Sequence, residues 1–100
     1  PYLVNITIVN MKDDRSVDYA EELYNKLKGQ GIDVILDDRR VSVGVKFKDS
    51  ELIGFPLQVV VGPKGLDNNE LEIKYRHTGD SSLVPINDCL SHIKEFLSGG

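Results

Sequence analysis

The chain has 100 residues, of which 40% are hydrophobic and 28% are charged, and its formal net charge is -4. This length predicts one domain, and the ordinary composition excludes a disordered chain. Because Cys89 is the only cysteine, an internal disulfide and a four-cysteine zinc site are excluded. No apolar run is long enough for a membrane span, and the net acidity argues against a protein that coats DNA.

The first segment of the chain predicts a strand followed by a helix. Leu3–Val9 is rich in β-branched residues, which favour a strand. Ser16 is a suitable N-cap for the helix that follows, and Gly29 and Gly31 favour its end. The residues of its buried stripe recur at helical spacing: Val17, Ala20, Leu23, Tyr24 and Leu27.

The middle of the chain repeats this pattern with shorter elements. Ile32–Leu36 predicts a second strand, and a second helix is expected to begin near Ser42 or Gly44. Pro56 disfavours helical geometry at the residue before it, so this helix should end at about Gly54. The continuous apolar run Leu57–Val61 predicts a central strand covered on both faces.

The last third predicts consecutive strands and a final helix. We expect a turn at Gly62-Pro63-Lys64-Gly65 and a half-buried strand around Leu71-Glu72-Ile73-Lys74-Tyr75, where apolar and polar residues alternate. Another turn over Gly79–Ser82 leads to a brief strand at Leu83-Val84. Asn87 is the expected N-cap of the last helix. The buried stripe of this helix is Ile86, Cys89, Leu90, Ile93, Phe96 and Leu97.

The predicted order of elements is therefore β-α-β-α-β-β-β-α. Strand–helix alternation favours parallel pairing, and consecutive strands favour antiparallel pairing. We predict an α/β domain with a five-stranded mixed sheet and three helices packed on it. The start at Pro1, with no initiating methionine and no secretory signal, suggests that residues 1–100 are a single domain excised from a longer protein.

The segment Asp37–Gly54 carries the clearest candidate site. It contains four cations with no acid between the first and the last of them: Arg39, Arg40, Lys46 and Lys48. The arginines follow the carboxyl end of a predicted parallel strand, which is where open α/β sheets place their ligand sites. The amides of the next helix N-terminus should face the same region.

The chemistry of this segment suits unpaired RNA bases. Arginine can donate a forked pair of hydrogen bonds to guanine O6 and N7, and a carboxylate can accept from guanine N1–H and N2–H. These edges are accessible in RNA loops. From charge alone, ordinary solvated charges remain the alternative, with Asp37 or Asp38 pairing with Arg39.

One sequence pattern extends over nearly the whole chain. Its residues are Asp37-Asp38-Arg39, Gly44-Val45-Lys46-Phe47, Asp49, Glu51-Leu52-Ile53-Gly54, Pro56, Val60-Val61-Gly62 and Leu71-Glu72-Ile73-Lys74-Tyr75-Arg76. With these residues the chain resembles the anticodon-binding domain of class II aminoacyl-tRNA synthetases, specifically that of prolyl-tRNA synthetases of the bacterial and organellar type. The resemblance implies the same five-stranded fold and recognition of the proline anticodon, whose last two bases are guanines.

The resemblance also implies roles for individual residues. The expected anticodon contacts are Asp38, Arg39, Arg40, Lys46, Phe47 and Glu51. Arg39 and Lys46 would donate to guanine, Asp38 or Glu51 would accept, and Arg40 would reach the RNA backbone. Phe47 would stack on a base or belong to the core. The expected secondary contacts, for which turn or solvated-face roles are the alternatives, are Lys64, Lys74 and Arg76.

For the parent protein, the resemblance implies a cytoplasmic or organellar-matrix ligase that joins proline to its tRNA with ATP and magnesium. Its partners would be proline tRNA, its own catalytic domain and a second subunit. The domain alone is expected to hold no cofactor, metal or catalytic residue and to bind neither membrane nor DNA. The alternatives are the anticodon domain of a related class II synthetase, a polymerase accessory subunit with this fold, and a small stand-alone enzyme.

The histidines, the cysteine and the serines at 81 and 82 predict no second site. His77 and His92 have no partner at metal-ligand spacing and are expected on the surface. Cys89 shares the stripe of Ile93 and is expected in the core. Ser81 and Ser82 lack the glycine context of a hydrolase nucleophile.

Overall fold

The computed structural model describes residues 3–99, so Pro1, Tyr2 and Gly100 lie outside the described part. The strands are β1 (Val4–Ile8), β2 (Val34–Asp37), β3 (Leu57–Val61), β4 (Glu70–Tyr75) and β5 (Ser81–Pro85). The helices are α1 (Asp14–Gly29), α2 (Val43–Ile53), α3 (Pro63–Asp67) and α4 (Ile86–Leu97).

The five strands form one mixed sheet in the order β2-β1-β3-β4-β5. Val4 of β1 pairs in parallel with Val34 on one side and Leu57 on the other. The pairs β3–β4 and β4–β5 are antiparallel, with Leu57 opposite Tyr75. The predicted α/β class and five-stranded mixed sheet are confirmed, and the short α3 is added to the three predicted helices.

The main core lies on one face of this sheet, where α1, α3 and α4 pack together. Side chains of a strand alternate between the two faces, so Val4, Ile6 and Ile8 all point into this core. The helices contribute the buried residues Ala20, Leu23, Leu27, Leu66, Cys89 and Ile93. The predicted buried stripes of the first and last helices are therefore confirmed at these positions.

The opposite face of the sheet combines polar side chains with Ile35 and Val60 and carries α2, none of whose residues belongs to the main core cluster. Asn5, Thr7 and Gln58 are buried on this face. The Gln58 side-chain amide donates a hydrogen bond of 2.8 Å to the Thr7 hydroxyl. Helix α2 therefore rests partly on polar side chains, whereas the other helices rest on aliphatic ones.

Three local predictions are wrong. Helix α1 begins at Asp14 with Asp13 as its N-cap, and Ser16 lies inside the first turn, where its hydroxyl donates to the Asp13 carboxylate. Helix α4 begins at Ile86, so Asn87 is helical and is not its cap. The predicted turn at residues 62–65 is instead the start of α3, because Pro63 has the fixed φ suited to a first helical position.

Within residues 3–99, no helix combines the length and apolar character needed to cross a bilayer.

Candidate nucleic-acid interface

Helix α2 is the element around which the predicted site residues are arranged. The Ser42 hydroxyl accepts a hydrogen bond from the Val45 amide at the helix start, and Gly54, at φ 86°, ends the helix in the left-handed conformation. The predicted start near Ser42 and end at Gly54 are thus confirmed. With 11 residues the helix is about 16 Å long, and a cleft lies along each of its flanks.

Lys46 is buried beneath α2, with only 1% of its surface exposed. Its ammonium donates hydrogen bonds to the carbonyl of Ile8, at 2.8 Å, and to the carbonyl of Asp37, at 3.3 Å. These carbonyls belong to the carboxyl ends of β1 and β2. Lys46 therefore links α2 to the ends of two parallel strands.

This position corrects the prediction that Lys46 donates to a guanine. An ammonium that is covered by the helix and bound to two carbonyls does not reach the surface where a base could lie. Burial lowers the pKa of Lys46 below its ordinary value of 10.5, and attraction by Asp37 offsets part of this effect. The structure makes Lys46 an anchor for α2.

Arg39 joins the end of β2 to the side of α2. Its Nε and Nη2 donate to the two carboxylate oxygens of Asp37, each at 2.9 Å, and its Nη1 donates to Asp49 at 2.9 Å. The hydrogen bonds from Arg39 hold the pKa of Asp37 below its ordinary value of 3.8. This arrangement is the Asp37–Arg39 pairing that charge pattern alone had left as the alternative interpretation.

The four cations of the segment Asp37–Gly54 are therefore less available to bind a ligand than the sequence predicts. Lys46 is buried and Arg39 is engaged by two carboxylates, although 47% of the Arg39 side chain remains exposed. Arg40 and Lys48 are exposed and make no side-chain hydrogen bond within residues 3–99. Asp38 is also exposed in the same loop. The cations nearest to solvent around the start of α2 are thus Arg40, Lys48 and the outer part of Arg39.

The second flank of α2 brings four predicted residues together. Phe47, Glu51, Lys74 and Arg76 line one cleft of about 550 Å³, called here the Phe47 cleft. The Lys74 ammonium lies 3.8 Å from the centroid of the Phe47 ring, a cation–π contact. Phe47 is half-buried and Glu51 is exposed. These four residues bring an aromatic ring, a carboxylate and two cations to the cleft, whose lining also includes Tyr75 and Asp80.

The position of Arg76 depends on the glycine that ends α2. A Cβ atom placed on Gly54 would lie 3.1 Å from Arg76 Nε and 3.3 Å from Arg76 Cζ. The guanidinium therefore packs over bare backbone at the end of the helix. This contact fixes one wall of the Phe47 cleft.

The predicted residues consequently fall into separate groups. Asp38, Arg39 and Arg40 precede the start of α2. Phe47 and Glu51 of the Phe47 cleft lie on α2 itself, and Lys74 and Arg76 lie on β4 and directly after it. Lys64 is exposed on α3, outside both clefts.

Comparison with known proteins identifies the family. The family described as "Anticodon binding domain" matches residues 4–96 of this chain. The chain belongs to this family of anticodon-binding domains. It is also 46% identical over 99 residues to "Proline--tRNA ligase" of Syntrophus aciditrophicus (strain SB). The match covers 99% of this chain and 17% of that ligase, so the chain spans a small part of its relative's length.

Sequence analysis missed the cleft on the first flank of this anticodon-binding domain. It has a volume of about 400 Å³ and is called here the Asn5 cleft. Its lining includes Asn5, Ile35, Asp37, Arg39, Asp49, Ser50, Leu52, Ile53 and Phe55. The available signal was the alternation in β1, where Asn5 and Thr7 are polar positions between the core residues Val4, Ile6 and Ile8.

Cys89 and His92 pack against the rest of the fold, whereas His77 lines the Phe47 cleft. Cys89 is fully buried, as predicted, and its thiol lies within hydrogen-bonding distance of the Val84 carbonyl. His77 is exposed, as predicted, but His92 is half-buried, with its Nε2 2.5 Å from the Tyr75 hydroxyl. Among residues 3–99, no group of three or more side chains could hold a metal ion.

Proposed function

We propose that this chain recognises the anticodon of proline tRNA by binding unpaired guanines along the exposed sides of α2. Membership of the anticodon-binding domain family and the similarity to a proline–tRNA ligase support this function. The observation that carries it is the Phe47 cleft, where an aromatic ring, an acceptor and two cationic donors lie around one concavity.

The groups of the Phe47 cleft match the edges of guanine. The Glu51 carboxylate accepts hydrogen bonds from guanine N1–H and N2–H, and Arg76 donates to O6 and N7. The Lys74 ammonium lies over the Phe47 ring, so a base that stacks on this face takes the place of the ammonium, which then remains available to bind phosphate. A base must be unpaired for a protein to use its edge and its face together, as the bases of an RNA loop are.

The residues at the start of α2 contact the neighbouring part of the same loop. Arg40 and the exposed part of Arg39 bind phosphate or a base edge, and Asp38 offers a further acceptor. The first amides of α2 add partial positive charge at this end. Lys46 acts indirectly by holding α2 on β1 and β2, and Lys64 contributes at most a remote phosphate contact.

In this proposal the chain is the tRNA-binding part of a larger ligase. The parent enzyme joins proline to its tRNA with ATP and magnesium in another domain, works as a homodimer and resides in the cytoplasm or an organellar matrix. Nothing in the two clefts is assigned a catalytic role. The domain supplies selection of the tRNA through its anticodon.

Binding to a synthetic anticodon stem-loop tests this function. Glu51→Gln should weaken binding of the proline stem-loop about tenfold, because the amide is a poorer partner for two guanine N–H groups. The matched control is Glu21→Gln on α1, on the opposite face of the sheet, which should leave the affinity unchanged.

The same titrations with adenine replacing each guanine separate base recognition from phosphate binding. Glu51→Gln should then reduce the binding affinity much less than it does with the guanine-containing loop. Equal losses on every stem-loop would contradict base recognition and leave only sequence-independent contact with RNA.

A further inference from the structure

Gln58 is a buried polar residue that lines the Phe47 cleft. Only 7% of its surface is exposed, and it does not line the Asn5 cleft. It lies on the central strand β3 and pairs with Lys74 of β4, whose ammonium covers the Phe47 ring. The small exposed part of Gln58 therefore faces the cleft to which the proposed function assigns a guanine.

The Thr7 hydroxyl fixes the orientation of the Gln58 amide. Thr7 is fully buried on β1, and its Oγ1 accepts a hydrogen bond of 2.8 Å from Gln58 Nε2. The oxygen of the same amide, Gln58 Oε1, accepts no hydrogen bond from residues 3–99. Within those residues Asn5 Oδ1 is the buried side-chain atom without a partner, so Gln58 Oε1 is open to the cleft. The Phe47 cleft thus contains a neutral acceptor held in one orientation.

Guanine presents more donors on one edge than the Glu51 carboxylate binds. The donors are N1–H and both hydrogens of the 2-amino group, and in the proposed arrangement Glu51 accepts N1–H and one amino hydrogen. A donor that is buried without an acceptor lowers affinity, so the remaining hydrogen favours a further acceptor beside the base. Asp80 also lines the cleft but is exposed, whereas the Gln58 amide is held in place by Thr7.

We propose that Gln58 Oε1 accepts the second hydrogen of the 2-amino group of the guanine in the Phe47 cleft. Gln58 thereby determines the preference for guanine over bases that lack this group. Thr7 is a positioning residue, because it acts only through the Gln58 amide. This role rests on the proposed function, since it requires a guanine in this cleft. It places a specificity-determining residue on the sheet, outside the segment Asp37–Gly54.

A thermodynamic cycle between protein variants and RNA variants tests this role of Gln58. The probes are a fluorescein-labelled proline anticodon stem-loop and the same RNA with each anticodon guanosine replaced in turn by inosine, which lacks the 2-amino group. Anisotropy gives the ratio of the two affinities. The protein variants are Gln58→Leu, Gln58→Glu and Thr7→Val. Asn5→Leu is the matched control, because Asn5 is also a buried amide on this face of the sheet but lines the other cleft.

At one of the guanine positions, the wild-type chain should prefer guanine over inosine at least tenfold, to the extent of roughly one to two recognised hydrogen bonds. Gln58→Leu should reduce this preference about five- to tenfold, whereas Asn5→Leu should leave it unchanged. Gln58→Glu should weaken binding of every stem-loop, because it adds a negative charge, but should retain the preference, because a carboxylate still accepts the amino hydrogen. Thr7→Val should reduce the preference about two- to threefold by freeing the amide.

An unchanged preference in Gln58→Leu at both guanine positions would overturn the role of Gln58, and continued discrimination against adenine would leave the proposed function intact. Loss of the preference in Gln58→Glu as complete as in Gln58→Leu would also overturn it, because the amide would then present its NH₂ group to the base. If Gln58→Leu fails to fold by circular dichroism, Thr7→Val carries the test, and an unchanged preference in that variant overturns the positioning. Absence of binding by the wild-type chain to every stem-loop would remove the proposed function and this role together.

Discussion

Replacing Lys46 by methionine separates an anchoring role from a base-recognising role. Methionine keeps the length and apolar stem of the side chain but removes the donor to the Ile8 and Asp37 carbonyls. A hydrogen bond to a charged group contributes roughly 1.5–3 kcal/mol, and relief from burying the ammonium offsets part of its loss. We therefore expect the free energy of unfolding to fall by about 1–2 kcal/mol.

The measurements are urea unfolding and stem-loop binding on the same protein preparations. Lys48→Met is the matched control, because Lys48 is exposed on the same helix and its loss should change stability by no more than about 0.5 kcal/mol. Folded Lys46→Met should bind the stem-loop within about twofold of wild type, since a lost guanine contact would cost roughly tenfold. Unchanged stability with a guanine-specific loss of affinity would refute the anchoring role.

Two further predictions concern the glycines of α2 and the pH dependence of stability. Gly54→Ala should lower the free energy of unfolding by about 1–2 kcal/mol, because its φ is 86° and the new Cβ crowds Arg76. Gly44 lies inside the helix, and a Cβ there would meet nothing within 4 Å, so Gly44→Ala should raise the free energy of unfolding by about 0.5–1 kcal/mol. Equal losses of stability in the two variants, measured by urea unfolding, would contradict this contrast. Burial raises the pKa of the Cys89 thiol from 9.0 to about 11, so the unfolded chain loses its proton first and stability falls as pH rises between these values. In Cys89→Ala the stability should fall less over this pH range. Part of the fall should remain because burial also raises the pKa of Tyr19, to about 12. A pH profile identical to that of the wild type would contradict this assignment.

The fold could be predicted because its signals are local and mutually consistent. Strand–helix alternation and the apolar run of β3 were enough to predict the sheet. The glycine and the proline after α2 were enough to predict where this helix ends. Helix starts were less predictable, because Ser16 and Asn87 are good caps by residue type yet lie within a turn of the observed starts. Residue preference for the cap position therefore located these two helix starts only to within two or three residues.

The site could be predicted as a segment but not residue by residue. A lysine in a basic run is expected in solvent, and only packing shows that Lys46 lies on the sheet-facing side of α2. Lys46 is three residues after Val43 and four before Ser50, and this spacing, which places the three residues on one helix face, was the sequence signal for its position. The Asn5 cleft was less predictable still, since its walls come from β1, β2 and α2, which are distant in sequence.

The most direct test of the proposed function is the ratio of affinities for two stem-loops at one salt concentration. One carries the proline anticodon, and the other has its two guanines replaced by adenines. If the chain recognises the base edges along α2, the guanine-containing loop should bind at least tenfold more tightly, at roughly 1–3 kcal/mol per recognised base. A ratio near one would contradict anticodon recognition by this chain and reduce its binding to contact with the RNA backbone.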